Sequence, residues 1–278
     1  MSDWNVLVTA PRACAALELY REALEPAGCR LVVFPSDERH DEAALMPRMA
    51  DIDVMICGDD KVTRRVLAAA PRLRMIAKWG TGIDSIDQVA ARERGVEVCN
   101  TPDAFSEPVA DSVFAYLLLF ARQPVEMAAD MRAGLWVRRP LAALNERTLG
   151  IVGLGHIGRA VARRAAAFGM PTLACDVHPP AAEAARLGVQ LVTLDELLAQ
   201  SDFVTIHANY HSGNRHLIDA DRLRLMRPSA VLVNTARGPL VDEHALAEAI
   251  RAGRLAGAAL DVFDEEPLAA ASPLRACP

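Results

Sequence analysis

The chain has 278 residues, 52% of them hydrophobic, which is enough for two compact domains with cores of their own. Lysine and arginine total 30 against 36 aspartates and glutamates, and a formal charge of −6 argues against nucleic acid as a partner. The longest uncharged apolar run, Ser112 to Ala121, is far too short to span a bilayer, so no membrane partner is expected.

In chain order, Met1-Ser2-Asp3-Trp4 leads straight into an apolar strand without a basic-then-apolar signal segment, and a cytoplasmic location is expected. Strands are predicted at Val6-Leu7-Val8, Leu31 to Phe34, Val54-Met55-Ile56, Met75-Ile76-Ala77 and Val96-Glu97-Val98. Stretches with helical spacing, such as Ala15 to Leu24 and Ile86 to Arg94, separate them. Such alternation implies parallel strands joined by helical crossovers. Ser106 can cap a helix with Glu107 and Pro108 in its first turn, running to Arg122. Its second half, Phe114 to Phe120, is apolar around much of its circumference and needs cover on more than one side. A core helix of one subunit and a helix at a subunit interface both satisfy that need.

A second series of strands follows: Gly150-Ile151-Val152, Thr172 to Cys175, Gln190-Leu191-Val192, Phe203 to Ile206, Ala230 to Val233 and Gly257 to Leu260. Their nearly continuous apolar character suits strands covered on both faces. Six scattered cysteines, several ending such runs and none in a C-x-x-C pair, read as reduced core thiols, and no metal site is expected.

Gly153-Leu154-Gly155-His156-Ile157-Gly158 follows a strand and opens a helix, expected from Ile157 to Phe168. In that setting Gly153 permits the tight turn, Gly155 lets backbone approach a pyrophosphate, and Gly158 lets helix and strand pack closely. The amides and partial positive charge of the helix start then face the phosphates. Asp176, 18 residues past the last glycine, is placed to accept hydrogen bonds from ribose hydroxyls. Val177-His178-Pro179-Pro180 holds no arginine for a 2′-phosphate, so NAD is the expected cofactor rather than NADP.

Later strand ends carry Asn234 to Gly238, Asp261-Val262-Phe263 and Glu265-Glu266-Pro267. A guanidinium at Arg237 suits a carboxylate and an adjacent carbonyl oxygen, and a carboxylate at Glu266 can orient a proton-transfer histidine. On position alone, a surface cation and a solvated loop acid are equal alternatives.

Lys78 to Asp87, Asn100-Thr101-Pro102, Asn234 to Glu243 and Ala258 to Pro267 resemble the signature segments of the D-2-hydroxyacid dehydrogenases, the phosphoglycerate dehydrogenase branch most of all. The resemblance implies two doubly wound parallel-sheet α/β domains. Residues 1–99 form a flavodoxin-like substrate-binding domain, and 100–278 a Rossmann NAD-binding domain that includes an interface helix and arm at 106–148. It places the substrate arginine at Arg237, the histidine-supporting acid at Glu266 and the nicotinamide-side aspartate at Asp261. Cofactor contacts fall on His156, Ile157, Asp176, Ala208, Thr235 and Ala236. Backbone amides of Gly80-Thr81-Gly82 receive the substrate carboxylate, with Lys78 assisting. The partners implied are a small 2-hydroxy or 2-oxo acid and a second copy of the chain, through the helix after Ser106 and the segment around Trp136.

Two departures stand out. Cys57 occupies the place of a substrate-contacting arginine, and Asp59 and Asp60 beside it are expected to repel a phosphate. The family's catalytic histidine follows a stretch like Ala269 to Leu274, and none of the seven histidines (40, 156, 178, 207, 211, 216, 244) lies beyond Glu266. The chain is therefore expected to be a fragment, with His207 and His211 poor substitutes. The activity implied is NAD-dependent hydride transfer at C2 of a small D-2-hydroxy acid. The alternative is an NAD-binding chain without turnover, truncated or cofactor-sensing. Another Rossmann enzyme, such as a formate dehydrogenase, is disfavoured by the Arg237 to Glu266 segments.

Overall fold

The computed structural model describes residues 4–37 and 39–277. Contacts divide the chain into two units, Met1–Phe105 and Ser106–Pro278. The division lies beyond the boundary expected at Cys99 because residues 100–105 are tied to the first unit. Asn100 Nδ2 donates to Thr81 O at 2.6 Å, the Thr101 amide donates to Gly80 O at 3.1 Å, and Trp79 packs on Phe105.

In the first unit, β1 (Trp4–Val8), β2 (Cys29–Val33), β3 (Val54–Cys57), β4 (Met75–Lys78) and β5 (Glu97–Cys99) form a parallel sheet ordered β2-β1-β3-β4-β5. This is the flavodoxin-like order, with its winding reversal between β1 and β3. Alternation along β1 sends Leu7 into one core with Met55 and Ile76, and Val6 and Val8 into another with Ile56. Both faces are thus buried, as the apolar runs require. The helix expected from Ala15 to Leu24 is two, Pro11–Ala15 and Leu17–Leu24, broken at Ala16. The one expected from Ile86 is shortened to Gln88–Glu93, because the Asp87 carboxylate accepts the Ala90 amide at 2.8 Å and caps it.

In the second unit, β6 (Leu149–Val152), β7 (Thr172–Cys175), β8 (Gln190–Leu191), β9 (Phe203–Ile206), β10 (Val231–Asn234) and β11 (Gly257–Leu260) form a parallel sheet ordered β11-β10-β9-β6-β7-β8. The chain winds outward through β7 and β8, then returns past β6 to β9, which is the Rossmann order. The helix Ser106–Arg122 lies along the helix His156–Ala167, where Asp111 pairs with Arg164 at 2.6 Å and Phe114 stacks on Phe168. Val113, Phe114, Leu117 and Ala121 are buried with Ile151, Val161 and Ala165. This long helix is therefore a core helix of its own unit along that face. Ser106 is buried within its first turn, and no first-turn amide donates to its hydroxyl, so it is not the expected cap.

All six cysteines are free thiols. They are not uniformly core residues as expected: Cys57 is buried, Cys99 at the end of β5 is exposed, and the rest are half-buried. Among the described residues no helix is long and apolar enough to cross a membrane.

Gly150, inside β6, faces Ser201 and Leu197 so closely that a Cβ would collide with the Ser201 hydroxyl and stand 2.5 Å from Leu197 Cδ2. Overpacking of this kind costs about 1–3 kcal/mol. Gly150→Ala is expected to lower the urea midpoint by a corresponding amount at an unchanged m-value.

Candidate active site

The carboxyl edge of the second sheet gathers the loops that leave β6, β7, β9, β10 and β11. After β6 the chain turns at Gly153, with φ of +95°, and enters the helix that begins at His156. A Cβ on Gly153 would lie 2.8 Å from the Ala208 nitrogen and the His207 carbonyl carbon. The loops after β6 and β9 thus touch where the strand order reverses, the place where open α/β sheets hold ligands. A Cβ on Gly158 would overlap the Gly153 carbonyl oxygen, so helix and turn are packed backbone to backbone. A Cβ on Gly155 would meet nothing within 4 Å, which leaves open space in front of the first-turn amides of His156 and Ile157. Asp176, just past β7, accepts the Leu154 amide through Oδ2 at 2.7 Å and the His178 amide through Oδ1 at 2.8 Å. It anchors the glycine turn from below, and each oxygen retains a second acceptor site.

Two buried polar atoms at this edge lack partners among the described residues. His207 Nε2 meets Thr205 Oγ1 at 3.0 Å, while Nδ1 has none; the Thr235 hydroxyl just past β10 has none either. Orphans of this kind call for a ligand or solvent to satisfy them. Burial pushes His207 down to about 3, so its ring is neutral at pH 7. The Asn234 side chain shapes the next turn. Its Oδ1 accepts the Ala236 amide at 3.0 Å and its Nδ2 donates to Arg237 O at 2.9 Å.

Beyond β11, the Asp261 amide donates to Asn234 O at 3.0 Å, and Tyr116 on the long helix donates to Asp261 Oδ1 at 3.3 Å. Burial first, and then the Asp261 charge, raise the Tyr116 pKa and keep the phenol protonated as donor. A Cβ on Gly238 would overlap the Phe263 carbonyl and the Asp264 nitrogen. The Arg237-Gly238 backbone is therefore laid directly on the loop that carries Glu266. Within that loop Glu266 Oε1 accepts the Phe263 amide at 2.9 Å, and Asp264 forms a paired contact with Arg215 at 3.0 and 2.5 Å. The Arg215 guanidinium holds the Asp264 carboxyl below its usual range. Arg237 Nη1 donates to Ala236 O at 2.8 Å. Tyr116, Asn234, Arg215 and Asp264 were not foreseen. Asn234, the polar residue ending an apolar strand, and Asp264 fall within the segments quoted for the resemblance, whereas Tyr116 and Arg215 left no trace in the sequence.

In the first unit Lys78 is buried, and its ammonium donates to Gly58 O at 2.5 Å and to Asp59 at 2.6 Å. The Gly80 amide donates to both Lys78 O and Thr101 Oγ1, while those of Thr81 and Gly82 donate to no acceptor among the described residues. The acidic loop expected to repel phosphate is largely compensated. Asp60 is 1% exposed and accepts from Thr9 Oγ1 and from the His40 and Gly58 amides, and Asp59 faces Lys78. Among the histidines, His40 stacks on Phe34, His211 accepts the Gly213 amide, and His216 approaches Asp242 at 3.7 Å.

The NAD binding domain of the D-isomer specific 2-hydroxyacid dehydrogenases matches residues 114–278. A glyoxylate reductase of Thermococcus onnurineus is 38% identical over 274 residues, covering 95% of this chain and 80% of its own. A D-3-phosphoglycerate dehydrogenase of Methanocaldococcus jannaschii is 40% identical over 227 residues, 80% of this chain but only 43% of that longer protein. A D-lactate dehydrogenase of Aquifex aeolicus, solved with NAD and lactic acid, superposes with a TM-score of 0.85 at 31% identity over 94% of this chain and 78% of that one.

The three glycines separate binding from folding. Gly155→Ala is expected to leave the melting temperature unchanged and to weaken NADH binding in a fluorescence titration. Gly158→Ala forces its Cβ into a carbonyl oxygen and is expected to lower the melting temperature by several degrees. The neutral ring of His207 has a signature of its own. Below pH 6.5 an unfolded histidine takes up a proton that the folded one refuses, so the ring costs stability as pH falls toward 3. His207→Gln is expected to show a shallower loss of melting temperature between pH 6.5 and 4 than the parent.

Proposed function

Because the chain belongs to the D-isomer specific 2-hydroxyacid dehydrogenases, whose Rossmann unit binds NAD, we propose that it interconverts a small D-2-hydroxy acid and its 2-oxo acid. The observation that carries this reading is the backbone closure at Gly238, which brings the loops of Arg237 and Glu266 together on the sheet edge that also carries the glycine turn. The residues at the switch point fit the dinucleotide: an open approach at Gly155, an anchored carboxylate at Asp176 and an orphaned hydroxyl at Thr235.

The chemistry that NAD would supply here is hydride transfer. Amides of the Gly153 to Gly158 turn, with His156 and Ile157, would hold the pyrophosphate, and Asp176 would hold the ribose. Ala208, Thr235 and Ala236 would line the cofactor, and Asp261, steadied by Tyr116, would orient the nicotinamide carboxamide. Arg237 grips the substrate carbonyl oxygen and carboxylate, polarising the carbonyl as charge builds on its oxygen. In the first unit, the Thr81 and Gly82 amides, beside Gly80, are able to receive a carboxylate. Lys78, already paired with Asp59, shapes that loop rather than offering an open charge. Glu266, anchored by the Phe263 amide, would support a proton-transfer imidazole, which the proton step requires in addition to these residues. None of the histidines above is assigned that role, and His207 is too weakly basic for it.

The proposal extends to a cytoplasmic homodimer. On and after the helix Pro124–Arg132, Val125, Met131, Leu135 and Trp136 expose apolar surface suited to a second copy.

Oxidation of NADH is to be followed with glyoxylate, hydroxypyruvate and pyruvate. Arg237→Ala is expected to lower kcat/KM by about 10²-fold, the usual cost of removing one positioned donor, with NADH affinity little changed. Tight NADH binding without turnover of any 2-oxo acid would overturn the catalytic reading and leave only the cofactor site.

A further inference from the structure

At the amino ends of its strands, the first unit opens onto a recess of about 590 Å³. Asp53 immediately precedes β3, Arg72 and Arg74 precede β4, and Arg94 and Gly95 precede β5; all five line it. Three guanidiniums against one carboxylate leave a local excess of two positive charges in a chain whose net charge is −6.

The recess is built rather than incidental. The Asp53 side chain is 9% exposed and accepts the Asn5 amide at 2.9 Å, so it is fixed from behind. It accepts Arg72 Nε at 3.1 Å and Nη2 at 2.9 and 3.0 Å, which orients the guanidinium plane and leaves Nη1 with no acceptor among the described residues. Arg74 is held with its guanidinium 5.2 Å from the Trp4 ring centre. The Arg94 side chain has no hydrogen bond or ion pair among the described residues. Backbone groups here are already used, since the Asp53 amide donates to Asn5 O and the Arg74 amide to Asp53 O. Recognition therefore falls to the guanidiniums.

We propose that this recess binds the phosphate group of a phosphorylated small molecule, held by Arg72, Arg74 and Arg94. Planar forks engage pairs of phosphate oxygens, and a phosphate monoester of charge about −2 matches the local excess. The site is separate from the amides of Thr81 and Gly82. Those follow the opposite end of β4, and a strand of four residues spans roughly 13 Å.

The test is titration of NADH-saturated protein, whose glycine turn is occupied, with inorganic phosphate at low ionic strength by calorimetry. Saturable binding is expected, weakening as sodium chloride is raised. In the double variant Arg74→Gln, Arg94→Gln the affinity is expected to fall at least ~10-fold, since two charge-assisted contacts are lost. Both side chains are exposed, so the variant is expected to keep the parent melting temperature and NADH affinity. Absence of saturable phosphate binding, or binding that persists undiminished in the double variant, overturns the proposal.

Discussion

Two places on one edge of the second sheet bring backbone against backbone with no room for a side chain. Gly153 lies on His207 and Ala208, and Gly238 lies on Phe263 and Asp264. The first contact closes the switch point where strand order reverses, and the second stacks the loops after β10 and β11. The proposed site of this unit is built around these two closures. The open approach at Gly155, the anchored Asp176, the turn at Arg237 and the loop of Glu266 occupy fixed places because glycine allows the surrounding backbone to close. A parallel sheet makes this possible: all its strands end on one side, so distant segments of the chain emerge side by side.

Much of the architecture was legible because strands buried on both faces must be apolar throughout. The strands at Thr172–Cys175, Phe203–Ile206 and Gly257–Leu260 fall where their apolar runs begin and end. The glycine turn was legible because each glycine answers a separate steric demand at fixed spacing. Less visible were features decided by tertiary neighbours. Nothing in the sequence around Ala16 marks a helix break, since neither glycine nor proline stands there. The Tyr116 contact with Asp261 joins residues 145 apart, and the Arg215 pair with Asp264 joins residues 49 apart, distances no local pattern reports. The first unit extends to Phe105 through hydrogen bonds that become visible only once the chain is folded.

Charge was the property most altered by folding. Asp59 and Asp60 are neighbours in sequence and read as a negative patch, yet they serve different partners. Asp60 turns inward to gather Thr9, His40 and Gly58, whereas Asp59 meets a buried ammonium. Neighbouring burial also separates Cys57, whose thiol is pushed up to about 12, from the exposed Cys99. Net charge along a segment says little about the field it projects when half of its groups are committed internally.

The double duty of Asp176 has a consequence for coenzyme exchange. The carboxylate proposed to hold the ribose also fastens the Leu154 and His178 amides. On that proposal, replacing it with a small neutral residue, the obvious route toward accepting a phosphorylated ribose, also unfastens the turn proposed to hold the diphosphate bridge. Selectivity and grip are thus mechanically coupled here. A lineage or an engineer switching coenzymes would have to supply a new tether for Leu154 along with a cation for the extra phosphate.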